Sequence, residues 1–151
     1  MQLLIRAPDV EELPALSELC MRSKAVWGYD AAFMAACRAE LSFDARDLAS
    51  SRIAVAARAD NVLGVAQVRM RGRDADLAKL FVEPSVLRGG VGRALFAWAT
   101  EAAKEMGARR MIIEADPDAA PFYRRLGARE AGLAPSASIA GRMLPRLVVE
   151  L

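Results

Sequence analysis

The sequence predicts a single α/β domain of the α+β kind, with a mixed, mostly antiparallel central sheet and helices on both faces. Its 151 residues are 54% hydrophobic and 26% charged, which suits one globular domain over residues 1–151 with one buried core. Three strand-like segments follow one another in mid-chain, and a strand–helix–strand unit comes next. Such a unit makes a right-handed crossover between parallel strands, so we expect one parallel pair in the sheet.

The N-terminal third predicts one strand and two helices. Gln2–Arg6 is a short strand, and apolar residues at helical spacing predict a helix from a cap at Asp9 to about Ser23. Pro14 conflicts with this helix unless it lies in the first turn. Asp30 caps a second predicted helix, from Ala31 to about Leu41.

From residue 52 onward the apolar pattern becomes that of strands. Three antiparallel strands are predicted, joined by turns at Asp60-Asn61 and Arg71–Asp74: Arg52–Arg58, Val62–Met70 and Ala75–Val82. An amphipathic helix follows from about Gly90 to Met106, with Gly107 at its C-terminal cap. The remaining predicted elements are a strand at Arg109–Ala115, a helix at Ala119–Leu126 capped by Asp118, and strands at Ala128–Leu133 and Leu144–Leu151.

Several absences exclude classes of function. The chain has no histidine, so it lacks Ser-His-Asp and Cys-His machinery and imidazole metal ligands. Cys20 and Cys37 form no CxxC pair, which argues against a zinc site and leaves one disulfide open. The net charge of +2 does not indicate a nucleic-acid or membrane-surface protein. No apolar run approaches about 18 residues, and Met1–Asp9 lacks a signal-peptide core, so we expect a cytoplasmic protein.

The segment VEPSVLRGGVGR, Val82–Arg93, is the most informative part of the chain. A strand leads through Pro84 and three glycines into a helix N-terminus, whose unpaired N–H groups suit a phosphate or diphosphate. The alternative is an ordinary glycine-rich turn with solvated arginines. A P-loop is excluded because no Lys-Ser or Lys-Thr follows, and a dinucleotide fingerprint because Leu95 takes its third glycine position.

Two spaced motifs resemble those of the GNAT superfamily of acetyl-CoA-dependent N-acetyltransferases. The first, V-x-P followed by Q/R-x-x-G-x-G/A, is matched by Val82, Pro84, Gly90 and Gly92, with Leu87 in place of Gln or Arg. The second motif is N-x-x-A-x-x-F-Y-x-x-x-G-F. Its positions are taken by Asp116, Ala119, Phe122, Tyr123 and Gly127. Asp116 replaces the usual Asn, and Ala128 replaces the final Phe. The order of the predicted elements agrees with that family along nearly the whole chain.

The resemblance implies acetyl-CoA as co-substrate, with no metal, and a splayed parallel strand pair that receives the thioester. The cofactor-binding residues it implies for the diphosphate are Arg88, Gly89, Gly90, Val91, Gly92 and Arg93. It assigns the pantetheine arm to Leu80–Val82, with an N–H near Phe81 or Val82 polarising the thioester carbonyl. Asp116, Phe122 and Tyr123 complete the implied cofactor site.

The implied reaction is direct attack of an amine on the thioester in a ternary complex. Because the chain has no histidine, a carboxylate must act as base, and the candidates are Asp76, which we favour, Glu83 and Glu114. The family's tyrosine at the position of Tyr123 donates a proton to the departing thiolate, and a phenol of pKa about 10 stays protonated for that role. The alternative for each carboxylate is a solvated surface group, and the alternative for Tyr123 is a tyrosine of the core.

The acceptor is a small-molecule or peptide amine of unknown identity. Trp27, Tyr29 and Phe33 are candidate substrate-binding residues that wall a pocket by apolar or cation–π contact. The loop Pro135–Arg142 either closes over that pocket or is only a turn. An apolar last strand, Leu147–Leu151, suggests a homodimer through sheet edges.

Two other functions compete with the enzyme. A non-catalytic acyl-CoA-binding regulatory module would keep the glycine loop but not the chemistry. A nucleic-acid binder would use Arg69, Arg71 and Arg73, but the aromatic residues that such a surface needs do not alternate with them. We therefore expect neither nucleic acid nor membrane as a partner.

Overall fold

A computed structural model describes residues 2–151 and confirms the α/β fold with a mostly antiparallel sheet. Over that range the seven strands lie in the order β1-β2-β3-β4-β5-β7-β6, and only β4 and β5 are parallel neighbours. The strands are β1 Leu3–Arg6, β2 Arg52–Arg58, β3 Asn61–Arg71, β4 Asp74–Val82, β5 Arg110–Glu114, β6 Arg129–Pro135 and β7 Met143–Glu150. The helices are α1 Leu13–Ala25, α2 Ala31–Leu41, α3 Ala45–Ser50, α4 Val91–Glu105 and α5 Ala120–Arg125.

The helices cover both faces of the sheet. On one face α1 and α2 bury Leu16, Leu19 and Cys37 against Val55 and Val65 of the sheet. On the other face α4 and α5 pack against the same strands and against β5 and β7. Both cysteine thiols are free and buried, so the disulfide left open by the sequence is not formed.

Gly64 of β3 sets how closely α4 approaches the sheet. A Cβ atom at this residue would lie 2.8 Å from Leu95 Cδ1 and 3.0 Å from the carbonyl oxygen of Phe81. A side chain would therefore push α4 away from β3. This close contact fixes the N-terminal end of α4 beside the C-terminal end of β4.

Local signals account for most boundaries, with small corrections at the helix ends. A 3-10 turn, Val10–Glu12, precedes α1, so Pro14 falls in the first α-helical turn and the conflict disappears. Asp30 caps α2 as predicted, accepting the N–H of Phe33 at 2.8 Å. Asp118 does not cap α5, because its own N–H donates to Asp116 Oδ1 and the cap position is Ala119.

Two predictions about the architecture are wrong. Helix α3, Ala45–Ser50, lies where no element is predicted. The final strand β7 is not an edge, since it pairs with β5 on one side and β6 on the other. The argument for a homodimer through the edge of that strand therefore fails, because no backbone edge of β7 is free over its paired residues.

Candidate active site

The site is built around a gap between β4 and β5. These strands pair only at Ala75–Met111 and Asp76–Ile112, although β4 continues to Val82. On its other edge β4 stays bonded to β3 up to Val82. Backbone N–H and C=O groups of alternate β4 residues therefore face the gap with no strand opposite them, and an extended ligand can bond there as a strand. The parallel pair is splayed, as the resemblance to the GNAT superfamily implies.

A β-bulge at Ala78 decides where the side chains of β4 point. Gln67 of β3 lies opposite Lys79, but the next residue of β3 lies opposite Leu77, which leaves Ala78 extra. Leu77 packs on the face covered by α4, whereas Lys79 lies on the face of α1 and α2. There Lys79 Nζ donates to Gln67 Oε1 at 3.0 Å and lies 4.6 Å from the centre of the Phe43 ring.

The N-terminus of α4 presents unused donors at the end of this gap. Gly90, at the cap position, has φ +84°, a left-handed conformation that favours glycine. Its carbonyl accepts the N–H of Ala94 at 3.1 Å, and within residues 2–151 the N–H groups of Val91, Gly92 and Arg93 have no acceptor. Three free donors and the positive end of a 15-residue helix make an anion site.

The turn before α4 is tightly folded. Gly89 donates its N–H to the carbonyl of Val86 at 3.2 Å, so this amide supports the turn. Arg88 has φ +70°, which is unusual for a residue with a side chain, and its side chain is exposed. Leu87, at the position where Gln or Arg is usual in the motif, is 51% exposed.

Phe122 of α5 lies directly over Gly92. A Cβ atom at residue 92 would be 3.1 Å from Phe122 Cζ and 3.6 Å from Val82 Cγ2. The first turn of α4, the end of β4 and α5 therefore meet at this glycine. The glycine-rich motif that contains Gly92 and the motif that contains Phe122 are therefore in direct contact, although they are far apart in the sequence.

Tyr123 lies beside Phe122 and is 6% exposed. Its ring packs edge-on against Phe122 at 5.1 Å and against Phe96 at 6.0 Å. Within residues 2–151 its hydroxyl makes no hydrogen bond, and burial raises the pKa of this phenol. It is a protonated donor without a protein acceptor.

Asp116, which follows β5, is the centre of a polar cluster. Its Oδ2 accepts hydrogen bonds from Tyr29 Oη at 2.5 Å and Lys24 Nζ at 3.3 Å, and Arg142 Nη2 lies 3.5 Å away. Burial opposes ionisation of Asp116, but the hydrogen bonds from Tyr29, Asp118 N–H and Lys24 outweigh it and lower its pKa. Burial, followed by the bond to Asp116, raises the pKa of Tyr29 to about 12.

The predicted acceptor aromatics are only partly brought together. Tyr29 and Phe33 stack with ring centroids 3.9 Å apart, whereas Trp27 is 45% exposed. Lys24 and Arg142 lie over these two rings at 4.9–5.9 Å. The aromatic faces thus already hold two cations of the chain. Arg142 comes from the 136–142 loop, so this loop packs over the end of β5.

The three candidate bases have different surroundings. Asp76 has a side chain that is 15% exposed and bonds to Arg71 at 2.9 Å, and burial raises the pKa of this carboxyl despite that arginine. Glu83 is held by both oxygens, which accept from Arg22 at 2.7 and 3.0 Å. Glu114, at the end of β5, is exposed.

A cavity of about 410 Å³ opens beside the bulge, between α2, the N-terminal end of α3, β3 and the diverging ends of β4 and β5. This is within the range of small-molecule sites. Asp76 and Glu114 line it, and Glu83 does not. Its charged lining residues are Glu40, Asp44, Asp47, Arg69, Arg71, Asp76, Lys79 and Glu114.

Three residues of the site went unpredicted. Gln67 and Lys79 are buried polar residues, and in the sequence each stands between apolar neighbours of its strand, a pattern that could have indicated a site. Arg142 lies in a loop of small residues and carries no comparable signal. Over residues 2–151, no group of three metal-ligating side chains is present, and no helix is long and apolar enough to cross a membrane.

The sheet order, the splayed strand pair and the glycine-led helix together define a coenzyme A-binding fold of the acetyltransferase class. The model of the acetyltransferase (GNAT) family matches residues 15–128, which is 114 of the 151 residues. The chain belongs to this family, and acetyl-CoA is its co-substrate. A comparison with curated protein sequences finds no significant match.

Solved structures with this fold span nearly the whole chain. The PaiA N-acetyltransferase of Thermoplasma acidophilum, in complex with coenzyme A, has a TM-score of 0.80 and 15% identity, with 100% of each chain covered. YncA of Salmonella typhimurium, with its cofactor acetyl-CoA, has a TM-score of 0.72 and 20% identity over 99% of this chain and 94% of its own. The ribosomal-protein-alanine N-acetyltransferase of Brucella melitensis has a TM-score of 0.71 and 25% identity, over 98% of this chain and 99% of its own.

Proposed function

We propose that this protein transfers the acetyl group of acetyl-CoA to a primary amine, by direct attack within a ternary complex. The observation that carries the proposal is the position of β4. Its C-terminal end adjoins the free amides of α4, and its residues Asp76–Lys79 line the cavity of about 410 Å³. A donor bound along the gap and an acceptor in the cavity would therefore meet at one strand.

The residues present fit the acyl donor. The free N–H groups of Val91, Gly92 and Arg93 bind the diphosphate, with the exposed Arg88 side chain beside them. Main-chain groups of Leu80 and Val82, the alternate residues of β4 that face away from β3, bond the pantetheine arm across the gap. Asp116 acts indirectly in this proposal: its carboxylate holds the turn before α5, which carries Phe122 and Tyr123.

The chemistry uses a backbone donor and a buried phenol. Acetyl-CoA supplies an activated thioester and a thiolate leaving group. The main-chain N–H of Val82, which faces the gap, stabilises the negative charge that develops on the carbonyl oxygen. Tyr123 gives the proton of its hydroxyl to the departing sulfur, and its raised pKa keeps that proton in place until the C–S bond breaks.

Asp76 is the proposed base. An alkyl amine is mostly protonated at neutral pH, so a group in the cavity must remove a proton before attack. The nitrogen gives up a second proton to solvent as the amide forms, and Tyr123 regains from solvent the proton that it gave to sulfur. Burial raises the pKa of Asp76, which makes it a better base, and Asp76 lies where the gap meets the cavity. The two hydrogen bonds that Glu83 accepts from Arg22 make Glu83 a weaker candidate.

The competing function is an acyl-CoA-binding regulatory module that does not catalyse transfer. Leu87, which cannot donate a side-chain hydrogen bond, favours it. The test has two parts: thermal stabilisation by acetyl-CoA, with ATP and NAD as controls, and release of free CoA in the presence of a panel of primary amines. Stabilisation with amine-dependent CoA release supports the enzyme, and stabilisation without release from any amine supports the module.

A further inference from the structure

The charges of the cavity are not matched within it. Five carboxylates and three cations line it. Three of the carboxylates have an arginine partner, in the pairs Asp44–Arg46, Asp47–Arg69 and Asp76–Arg71. Within residues 2–151, Glu40, Glu114 and Lys79 have no ion partner, although Glu40 accepts a hydrogen bond from Ser138 Oγ. The side chains of Glu40, Glu114 and Lys79 are therefore the charged groups that are available to pair with a ligand in the cavity.

Lys79 is the most unusual of these groups. It is 7% exposed, and among residues 2–151 its only hydrogen bond goes to Gln67 Oε1. Gln67 is fully buried, and its Nε2 donates to Ser51 Oγ at 2.9 Å, so its carbonyl oxygen is fixed toward Lys79. An ammonium has three donors, and two of them have no acceptor here. A buried cation without a counter-ion is unfavourable, and burial lowers the pKa of Lys79 accordingly.

We infer that the acceptor is an amine that also carries a carboxylate, a free α-amino acid, and that Lys79 binds this carboxylate. The inference rests on the proposed function and specifies its acceptor. Asp76 and Lys79 point to the same face of β4, two side-chain positions apart because of the bulge, which separates them by about 7 Å along the strand. The amino group of a bound amino acid lies near Asp76 when its carboxylate reaches Lys79.

The charges distinguish this acceptor from two others. A polyamine would bring a second cation toward Lys79 and leave its charge without a counter-ion. The N-terminal amine of a peptide lacks the free α-carboxylate next to it. An amino acid supplies a carboxylate for Lys79 and, at the same time, an amino group for the acidic side of the cavity at Asp76, so it matches both ends of the pocket.

The test measures binding and transfer separately. Free amino acids, their α-amides and a linear diamine are titrated by calorimetry into the protein–CoA complex, and CoA release from acetyl-CoA is measured with the same compounds. We expect at least one amino acid to bind tenfold or more tightly than its amide. Lys79→Met should remove that preference, Lys79→Arg should retain part of it, and Lys104→Met, an exposed lysine at the far end of α4, should leave it unchanged.

The two proposals fail in different ways. Selective binding of an amino acid without CoA release would sink the proposed transfer and leave the carboxylate site standing. Equal or tighter binding of amides or of the diamine, or a Lys79→Met protein with unchanged preference, would overturn the carboxylate site even if CoA were released. The comparison of each acid with its amide uses the unmodified protein and does not depend on the folding of a variant.

Discussion

The Phe122 ring lies so close to Gly92 that a methyl group at residue 92 would stand 3.1 Å from its Cζ atom. This contact joins the helix end that we propose binds the diphosphate to the helix that carries Tyr123. The two motifs of the family therefore form one packed unit, in which a side chain at residue 92 would have to displace the Phe122 ring.

Gly92→Ala should weaken coenzyme A binding about tenfold and change stability little. Alanine gains about 1 kcal/mol of helix propensity over glycine, which offsets the displacement of Phe122 by a few tenths of an ångström. Calorimetry and thermal unfolding measure the two effects. In a double-mutant cycle, Phe122→Leu should relieve part of the loss in affinity. An unchanged CoA affinity in Gly92→Ala would contradict the close contact.

Tyr123→Phe should lower kcat about 100-fold and leave the KM for acetyl-CoA within about twofold, because only the proton to the leaving sulfur is lost. Burial keeps the pKa of Tyr123 above its ordinary value, so its ionisation should produce no alkaline fall in kcat up to pH 10. Steady-state kinetics over that range tests both statements. Retention of full kcat would remove Tyr123 from the chemistry.

Asp76→Asn should lower kcat about 100-fold and abolish the acid limb of the kcat–pH profile. Burial raises the pKa of Asp76, so in the unmodified protein kcat should fall as pH drops through a value above the ordinary 3.8. Asp74→Asn is the matched control, since Asp74 begins the same strand and bonds to Arg109 outside the cavity. A larger loss in Glu114→Gln would transfer the role of base to Glu114.

Glu12→Gln should remove stability at neutral pH and leave it unchanged near pH 2. Two hydrogen bonds from Arg6, followed by the Asp9 N–H, lower the pKa of Glu12 from 4.5 to about 2. The stabilisation is therefore complete above pH 4.5 and disappears as pH falls to about 2. Because the Glu12 side chain is 25% exposed, we expect about 1 kcal/mol after screening by solvent.

Chemical denaturation at pH 7 and at pH 2 measures this difference. Glu11→Gln, at the exposed neighbouring carboxylate, is the control and should show a much smaller change. An equal loss of stability at both pH values would mean that Glu12 acts through packing and not through its charge.

Elements with strong local patterns could be predicted from the sequence. Helix α4 has a continuous apolar face and a glycine after its end, and β2 and β3 are two apolar runs separated by a short turn, as in a hairpin. Helix α3 could not be predicted in this way, because its six residues contain one large apolar side chain, Leu48, and that side chain is 36% exposed. Its N-cap residue, Asp44, is a start signal, but without an apolar period this signal alone does not distinguish a short helix from a turn.

Features of the fold that depend on pairing between distant strands could not be predicted from the sequence. The position of β7 between β5 and β6 follows from the strand order, which its own residues do not encode. The extra residue Ala78 changes the face of the sheet to which the Lys79 side chain points, and Ala78 itself has no feature typical of a bulge. The glycine loop and the Phe122–Tyr123 pair were predictable because their spacing is local.

The unpaired edge of β4 leaves backbone hydrogen-bonding groups that a bound ligand can satisfy. A molecule that bonds to this edge binds the native state and not the unfolded chain, so every tenfold rise in its concentration above Kd adds about 1.4 kcal/mol to the resistance to unfolding. The lifetime of the protein against proteases that attack open chains then follows the supply of coenzyme A thioesters. Scarcity of the acyl donor would lower the amount of the protein as well as its turnover.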